Sequence, residues 1–224
     1  LKLIYFSVIL FRKDGVKLPY LRPIQVNLKL KVMKKVLLLL AKGFEIYEAS
    51  AFIDVIGWNL EEGDGSTRLY SCGFGREVKS TFEQRFLVDY LVSEVKADDF
   101  DALAIPGGFE PYGFYEEAYS EPFLSLIREF AAQNKPIASI CVGALPIAKS
   151  GLLKGCKATT YNQGEKRQQA LHEMGAEVQQ VPIVQEANII TSWGPGTAID
   201  VAFMLLERLT STENEKHVRK LMGF

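Results

Sequence analysis

Short unbroken apolar runs alternate along this chain with stretches in which apolar residues recur every three or four positions. Residues 36–41 are continuously apolar between Lys34-Lys35 and Lys42-Gly43, the pattern of a strand buried on both faces. Residues 45–59 then place Ile46, Ala49, Phe52, Ile53 and Ile56 at helical spacing. Gly63-Asp64-Gly65 marks a turn, residues 68–72 a second strand, and residues 78–88 one or two short extended pieces. Residues 101–105 read as another buried strand, ended by Pro106-Gly107-Gly108. Residues 121–133 read as an amphipathic helix with Pro122 in its first turn. Residues 136–140 form a strand pattern that runs into Cys141, and residues 143–149 a short helix with Gly151 past its end. A short strand over 157–161, a helix over 165–174 and strands over 177–184 and 188–192 follow. After the Gly194-Pro195-Gly196 turn, Thr197 is a natural N-cap for a long apolar-faced helix over 199–209. From Ser211 the chain is polar, which predicts a surface helix or a frayed end. Strands alternating with helices predict an α/β fold: one domain around a doubly wound, mostly parallel sheet with helices on both faces.

The first 32 residues break this rhythm. They show isolated apolar runs without capping signals, and Met33-Lys34-Lys35 then looks like a natural protein start. Residues 1–32 are therefore expected to be an extension outside the domain of residues 33–224. A targeting peptide is the functional alternative, because residues 1–35 hold nine Lys or Arg and a single acid, Asp14. Scarce Ser, Lys in excess of Arg and no clean cleavage site argue against it. Residues 26–32 also alternate at period two, as an added edge hairpin would.

Composition narrows the chemistry. The 224 residues are 48% hydrophobic with a net charge of −1, so no bulk field favours nucleic acid or an anionic membrane. Three cysteines (Cys72, Cys141 and Cys156) at unrelated spacings suggest neither a disulfide framework nor a metal site, and they suit a reducing, cytoplasmic compartment. His172 and His217 are not spaced as zinc ligands. No phosphate-loop or dinucleotide fingerprint follows the first strand, so no nucleotide, flavin or other cofactor is expected.

Ligands of doubly wound sheets bind beyond the carboxyl ends of the strands. Lys42-Gly43, Gly107-Gly108, Cys141-Val142-Gly143 and Trp193-Gly194-Pro195-Gly196 all follow such ends. Cys141, at a strand end and a helix start, sits where N–H groups and the helix dipole favour a thiolate. An apolar run ending in one Cys is also an ordinary core pattern. Gly107 and Gly108 can offer unhindered N–H groups as an oxyanion hole, or form a plain turn. Glu48, beside apolar-facing Ala49 and Phe52, can point inward with a raised pKa and act as donor or general base. It can equally be a solvated helix glutamate, with Glu45 as the rival carboxylate.

The motif running from Lys34 through Ala41-Lys42-Gly43 to Glu48 resembles the opening of the ThiJ/PfpI superfamily, in particular the branch of the Parkinson-disease-associated deglycase and glyoxalase III. Ala104-Ile105-Pro106-Gly107-Gly108, Ser139-Ile140-Cys141-Val142-Gly143 and Thr191-Ser192-Trp193-Gly194-Pro195-Gly196 match that branch in order. The resemblance covers residues 33 to about 209. It implies a flavodoxin-like fold and a homodimer. It also implies a nucleophile at Cys141 on a strained elbow and a protonated partner at Glu48, with the backbone of Gly107, Gly108 and Val142 lining the pocket. The implied activity acts on a small carbonyl substrate: methylglyoxal or glyoxal is converted to a hydroxy acid without glutathione, or early glycation adducts are removed. Oxidation-sensitive stress protection, with Cys141 oxidised to a sulfinate, is the alternative.

Two positions depart from the branch. Tyr161 stands where its better-studied members carry His after Thr-Thr, and a phenol is a poor base at neutral pH. Trp193 stands where Arg or Gln is common, which narrows the pocket and removes a cation. Other branches fit less well: Val142 replaces the His that follows the nucleophile in the peptidase-like branch, and His172-Glu173 does not form an amidotransferase triad.

Overall fold

The computed structural model describes residues 32–224, which form one compact unit. The expectations for residues 1–31 fall outside the described residues. The elements are β1 (Lys34–Leu39), α1 (Ile46–Glu61), β2 (Thr67–Gly73), β3 (Glu77–Lys79), β4 (Arg85–Leu87), β5 (Tyr90–Leu91) and β6 (Ala102–Ile105). They continue with α2 (Phe114–Ala118), α3 (Glu121–Ala132), β7 (Ile137–Ser139), α4 (Ala144–Lys149), β8 (Lys157–Ala158), α5 (Glu165–Glu173), β9 (Glu177–Val178), β10 (Ile183–Glu186), β11 (Ile189–Ser192), α6 (Ala198–Leu209) and α7 (Thr212–Leu221).

Seven strands form the main sheet in the order β10-β11-β7-β6-β1-β2-β5. All neighbours are parallel except β10 and β11. The β1 run is apolar throughout because both its faces are covered. Leu37 and Leu39 pack with Phe123, Ile127 and Phe130 of α3 on one side. Val36, Leu38 and Leu40 pack with Phe52, Val55 and Ile56 of α1 and with Val201 and Phe203 of α6 on the other. Each of these side chains, moved from water to the interior, contributes about 1.5–3 kcal/mol.

The chain winds outward from β1 to β2 and β5, then returns to β6 on the opposite side of β1. The carboxyl ends of β1 and β6 are therefore the topological switch point, where adjacent connections leave in opposite directions and open a crevice. The loops after β1, β6 and β7 all empty there.

Three local expectations change. Residues 157–161 contribute only the two-residue β8, which pairs with β9 outside the main sheet. The run 177–184 divides into β9 and β10, because its halves belong to different sheets and Pro182, between them, has no N–H for a ladder. Thr197 does not cap α6 with its hydroxyl. That hydroxyl donates back to the Gly194 carbonyl (2.7 Å), so it fastens the Gly-Pro-Gly turn instead. The polar tail is an ordered helix, α7, capped by Ser211 Oγ accepting from the Asn214 N–H and anchored by buried Val218.

Candidate functional site

Glu48 lies on the face of α1 that also buries Ala49, Phe52, Val55 and Ile56, so helical spacing carries a carboxyl into the core. It is fully buried. Its Oε2 accepts the Gly107 N–H at 2.6 Å, while Oε1 is buried without a hydrogen-bond partner. Burial pushes the acid up to about 8; the Gly107 N–H opposes this and the charge of Glu45 adds to it. Glu45 itself caps α1, accepting the Tyr47 N–H at 3.4 Å, and stays partly exposed.

Cys141 follows β7 with φ +57°, a left-handed conformation that costs a residue with a side chain about 1–3 kcal/mol. Neighbours hold it there. The buried Thr160 hydroxyl donates to the Cys141 carbonyl at 2.8 Å, and the Gly143 N–H donates to Ile140 O at 2.9 Å. A side chain on Gly143 would meet the Ile105 carbonyl at 2.7 Å, so glycine lets the elbow press against the end of β6.

The thiol and the Glu48 carboxyl meet beside Gly107, each shifting the other's titration, and the Val142 N–H favours a charge on the sulfur. The helix start does favour the thiolate through that N–H, but it does not prevail. Burial, first, and then the Glu48 charge push the Cys141 thiol well above its ordinary range. The two groups compete: ionising either raises the other, so near neutral pH they hold at most one negative charge. Because Oε2 accepts from Gly107, the proton of the neutral acid belongs on Oε1.

The glycine pair departs from the expected oxyanion hole. The Gly107 N–H is committed to Glu48. A Cβ on Gly107 would lie 2.8 Å from the Cys141 Cβ and 2.9 Å from Glu48 Oε2, so this glycine permits the thiol and the carboxyl to meet. Gly108 forms a bridge with Phe44, and a Cβ there would lie 2.3 Å from the Phe114 ring and 2.4 Å from Gly43 O. It serves close packing. Of the three backbone groups expected at the sulfur, Val142 is the one whose N–H favours the thiolate.

Tyr161 and Trp193 border a cavity of about 430 Å³, together with Pro182, Pro195 and Gly194. Cys141 does not itself line this cavity, but Gly194 lies close to both: a methyl built on Gly194 would lie 3.5 Å from the Tyr161 ring and 3.9 Å from Cys141 Sγ. Residue-by-residue reading treated Thr159-Thr160 only as a landmark before Tyr161. The structure makes Thr160 the clamp on the elbow and ties Thr159 to β11, its N–H donating to Thr191 Oγ1 at 3.0 Å. It also missed a strap from the loop after β6 to α5. Glu110 pairs with Arg167 at 2.8 Å, and Arg167 lies over the Tyr115 ring at 5.0 Å. The only sequence signal for that strap was opposite charge, which gives no partner. Among the described residues, no group of three or more His, Cys, Asp or Glu is placed to hold a metal ion, and no helix is long and apolar enough to cross a membrane.

A family model described as the DJ-1/PfpI family matches residues 34–208. The chain belongs to the DJ-1/PfpI family. The crystal structure of Drosophila melanogaster DJ-1beta superposes with a TM-score of 0.75 at 27% identity, over 85% of this chain and 98% of that one. Arabidopsis thaliana protein DJ-1 homolog B is 28% identical over 88% of this chain, which spans 42% of that longer protein. A Thermococcus kodakarensis protein named a deglycase is 31% identical over 72% of this chain and 91% of its own length. The fold common to the DJ-1/PfpI family and the α/β fold read from the alternating pattern are the same.

Proposed function

We propose that this DJ-1/PfpI member converts 2-oxoaldehydes to 2-hydroxy acids with Cys141 as nucleophile and Glu48 as its proton carrier, without glutathione. The observation that carries the reading is the pair itself. A strained, partly exposed thiol meets a fully buried acid beside Gly107, and that acid has one oxygen held by the Gly107 N–H and the other unpartnered. A carboxyl poised near the working pH is suited to moving protons in both directions. The deglycase name carried by the archaeal relative supports a carbonyl adduct as the kind of substrate.

The reacting form carries Glu48 as the carboxylate, populated as pH approaches its raised pKa of about 8: it takes the thiol proton as the sulfur adds to the aldehyde carbon and gives that proton to the new oxygen, forming a thiohemiacetal. Glu48, again a carboxylate, removes the remaining hydrogen of that carbon as a proton and returns it to the neighbouring ketone carbon, while the hydroxyl proton passes from the first oxygen to the ketone oxygen. The first carbon is thereby oxidised to a thioester and the second reduced to an alcohol, with no external electron acceptor. Water then breaks the carbon–sulfur bond, releasing the hydroxy acid and restoring the thiol. The Val142 N–H stabilises sulfur-centred charge during these steps. Purified protein should form lactate from methylglyoxal, and Cys141→Ala and Glu48→Ala should each abolish it. No lactate above the uncatalysed rate would sink the proposal.

One observation favours a second reading. With Tyr161 at the usual His position, the same donors, the Val142 N–H and protonated Glu48, can hold a sulfinate formed when two equivalents of peroxide oxidise Cys141 and leave as water. Mass spectrometry after mild peroxide should then show two oxygens at Cys141 before any at partly exposed Cys156; the reverse order excludes it.

A further inference from the structure

We infer that the preferred substrates are 2-oxoaldehydes whose ketone carbon bears an aryl or comparably large apolar group, seated in the cavity between Tyr161, Pro182, Trp193 and Pro195. The inference rests on the glyoxalase reading above and adds to it the class of substrate. Methylglyoxal has only five heavy atoms, whereas this cavity of about 430 Å³ is in the range that holds whole organic ligands. Its walls include two aromatic and two proline side chains, surfaces against which a flat ring packs well, beside the polar Asn162, Gln163 and Thr197, and none of the lining residues is charged. The indole Nε1–H of Trp193 is buried without a hydrogen-bond partner, so its resonance reports on how the indole packs against whatever fills the cavity.

Gly194 connects this cavity to the thiol. Its φ of 165° is extended backbone open to any residue, so local conformation does not require glycine there. What the missing side chain provides is a passage. A methyl at this position would stand 3.9 Å from Cys141 Sγ and 3.5 Å from the Tyr161 ring, in van der Waals contact with both, and would fill space that glycine leaves open beside them. A substrate attached to Cys141 through its aldehyde carbon can extend its far side over Gly194 into the cavity.

The test compares initial rates for phenylglyoxal and methylglyoxal in wild type, Trp193→Ala, Trp193→Phe and Gly194→Ala. In wild type, kcat/KM for phenylglyoxal should exceed that for methylglyoxal by about tenfold or more, chiefly through KM, a preference worth about 1.4 kcal/mol. The ratio should fall toward one in Trp193→Ala and Gly194→Ala, and Trp193→Phe should keep part of it. Equal kcat/KM values in an active wild type, or a ratio unmoved by Trp193→Ala, would overturn the inference. If neither aldehyde is turned over, the glyoxalase reading fails by itself. The cavity is then judged by titrating acetophenone, an unreactive aryl ketone, against ¹⁵N-labelled protein. A shift of the Trp193 indole N–H resonance, assigned by its loss in Trp193→Phe, supports an aryl-ketone site, and no shift overturns it.

Discussion

Replacing Glu48 by Gln should flatten the pH dependence of stability, because it removes a fully buried carboxyl that the fold forces to hold its proton. Glu48 is fully buried and its acid is pushed from 4.5 up to about 8, with burial as the largest cause. Between those values the folded chain keeps a proton that the unfolded chain has released. Stability is therefore fully present below about pH 4.5 and is lost as pH rises through the folded value. Each pH unit in the window costs about 1.4 kcal/mol, so wild type should lose about 3 kcal/mol by pH 7 and about 4 kcal/mol by pH 8. Gln is nearly isosteric with the neutral acid and still offers an oxygen to the Gly107 N–H, so the two proteins should be within about 1 kcal/mol at pH 4.5. Cys141 remains a thiol throughout because its own pKa is raised. Equilibrium urea unfolding at pH 4.5, 6, 7 and 8 on both proteins gives the difference directly, and the titrations of all other groups cancel in it. Glu48→Gln should become progressively the more stable protein as pH rises. A difference that stays constant across the range would show that Glu48 ionises normally in the folded state and would refute the reasoning.

Gly107→Ala should cost about 1–3 kcal/mol in the same unfolding assay and abolish lactate formation, since its Cβ has no place between Cys141 and Glu48. Wild-type stability together with wild-type turnover would show that the pair is looser than described. Tyr161→His should raise kcat for methylglyoxal by about tenfold or more, by restoring a base beside the thiol. An unchanged or lower kcat would mean that Glu48 carries all the proton traffic.

The sequence made some of this site legible because strand ends and helical spacing are local. The apolar run before Cys141 placed it at the end of a strand. The spacing of Ala49, Phe52 and Ile56 gave Glu48 its inward direction, and its desolvation followed. The pattern could not say which donors a glycine pair serves. Gly107 and Gly108 read alike, yet one faces a carboxyl and the other an aromatic ring, because β6 delivers them to different neighbours. Nor could it find Thr160 or the Glu110–Arg167 strap, whose partners lie 19 and 57 residues away.

By itself, then, the order of apolar and polar residues determined the alternation of strands and helices, a sheet buried on both faces, and the rim on which the loops meet. Those follow from hydrophobic burial at periods of two and 3.6 residues, which each segment carries within itself. The tertiary structure alone decided the electrostatics of the thiol. A helix start favours the thiolate locally, but the packing of α1 against the sheet brings a buried acid to the sulfur and excludes water from both. Desolvation then outweighs the local dipole, and Cys141 and Glu48 become a pair that shares its charge.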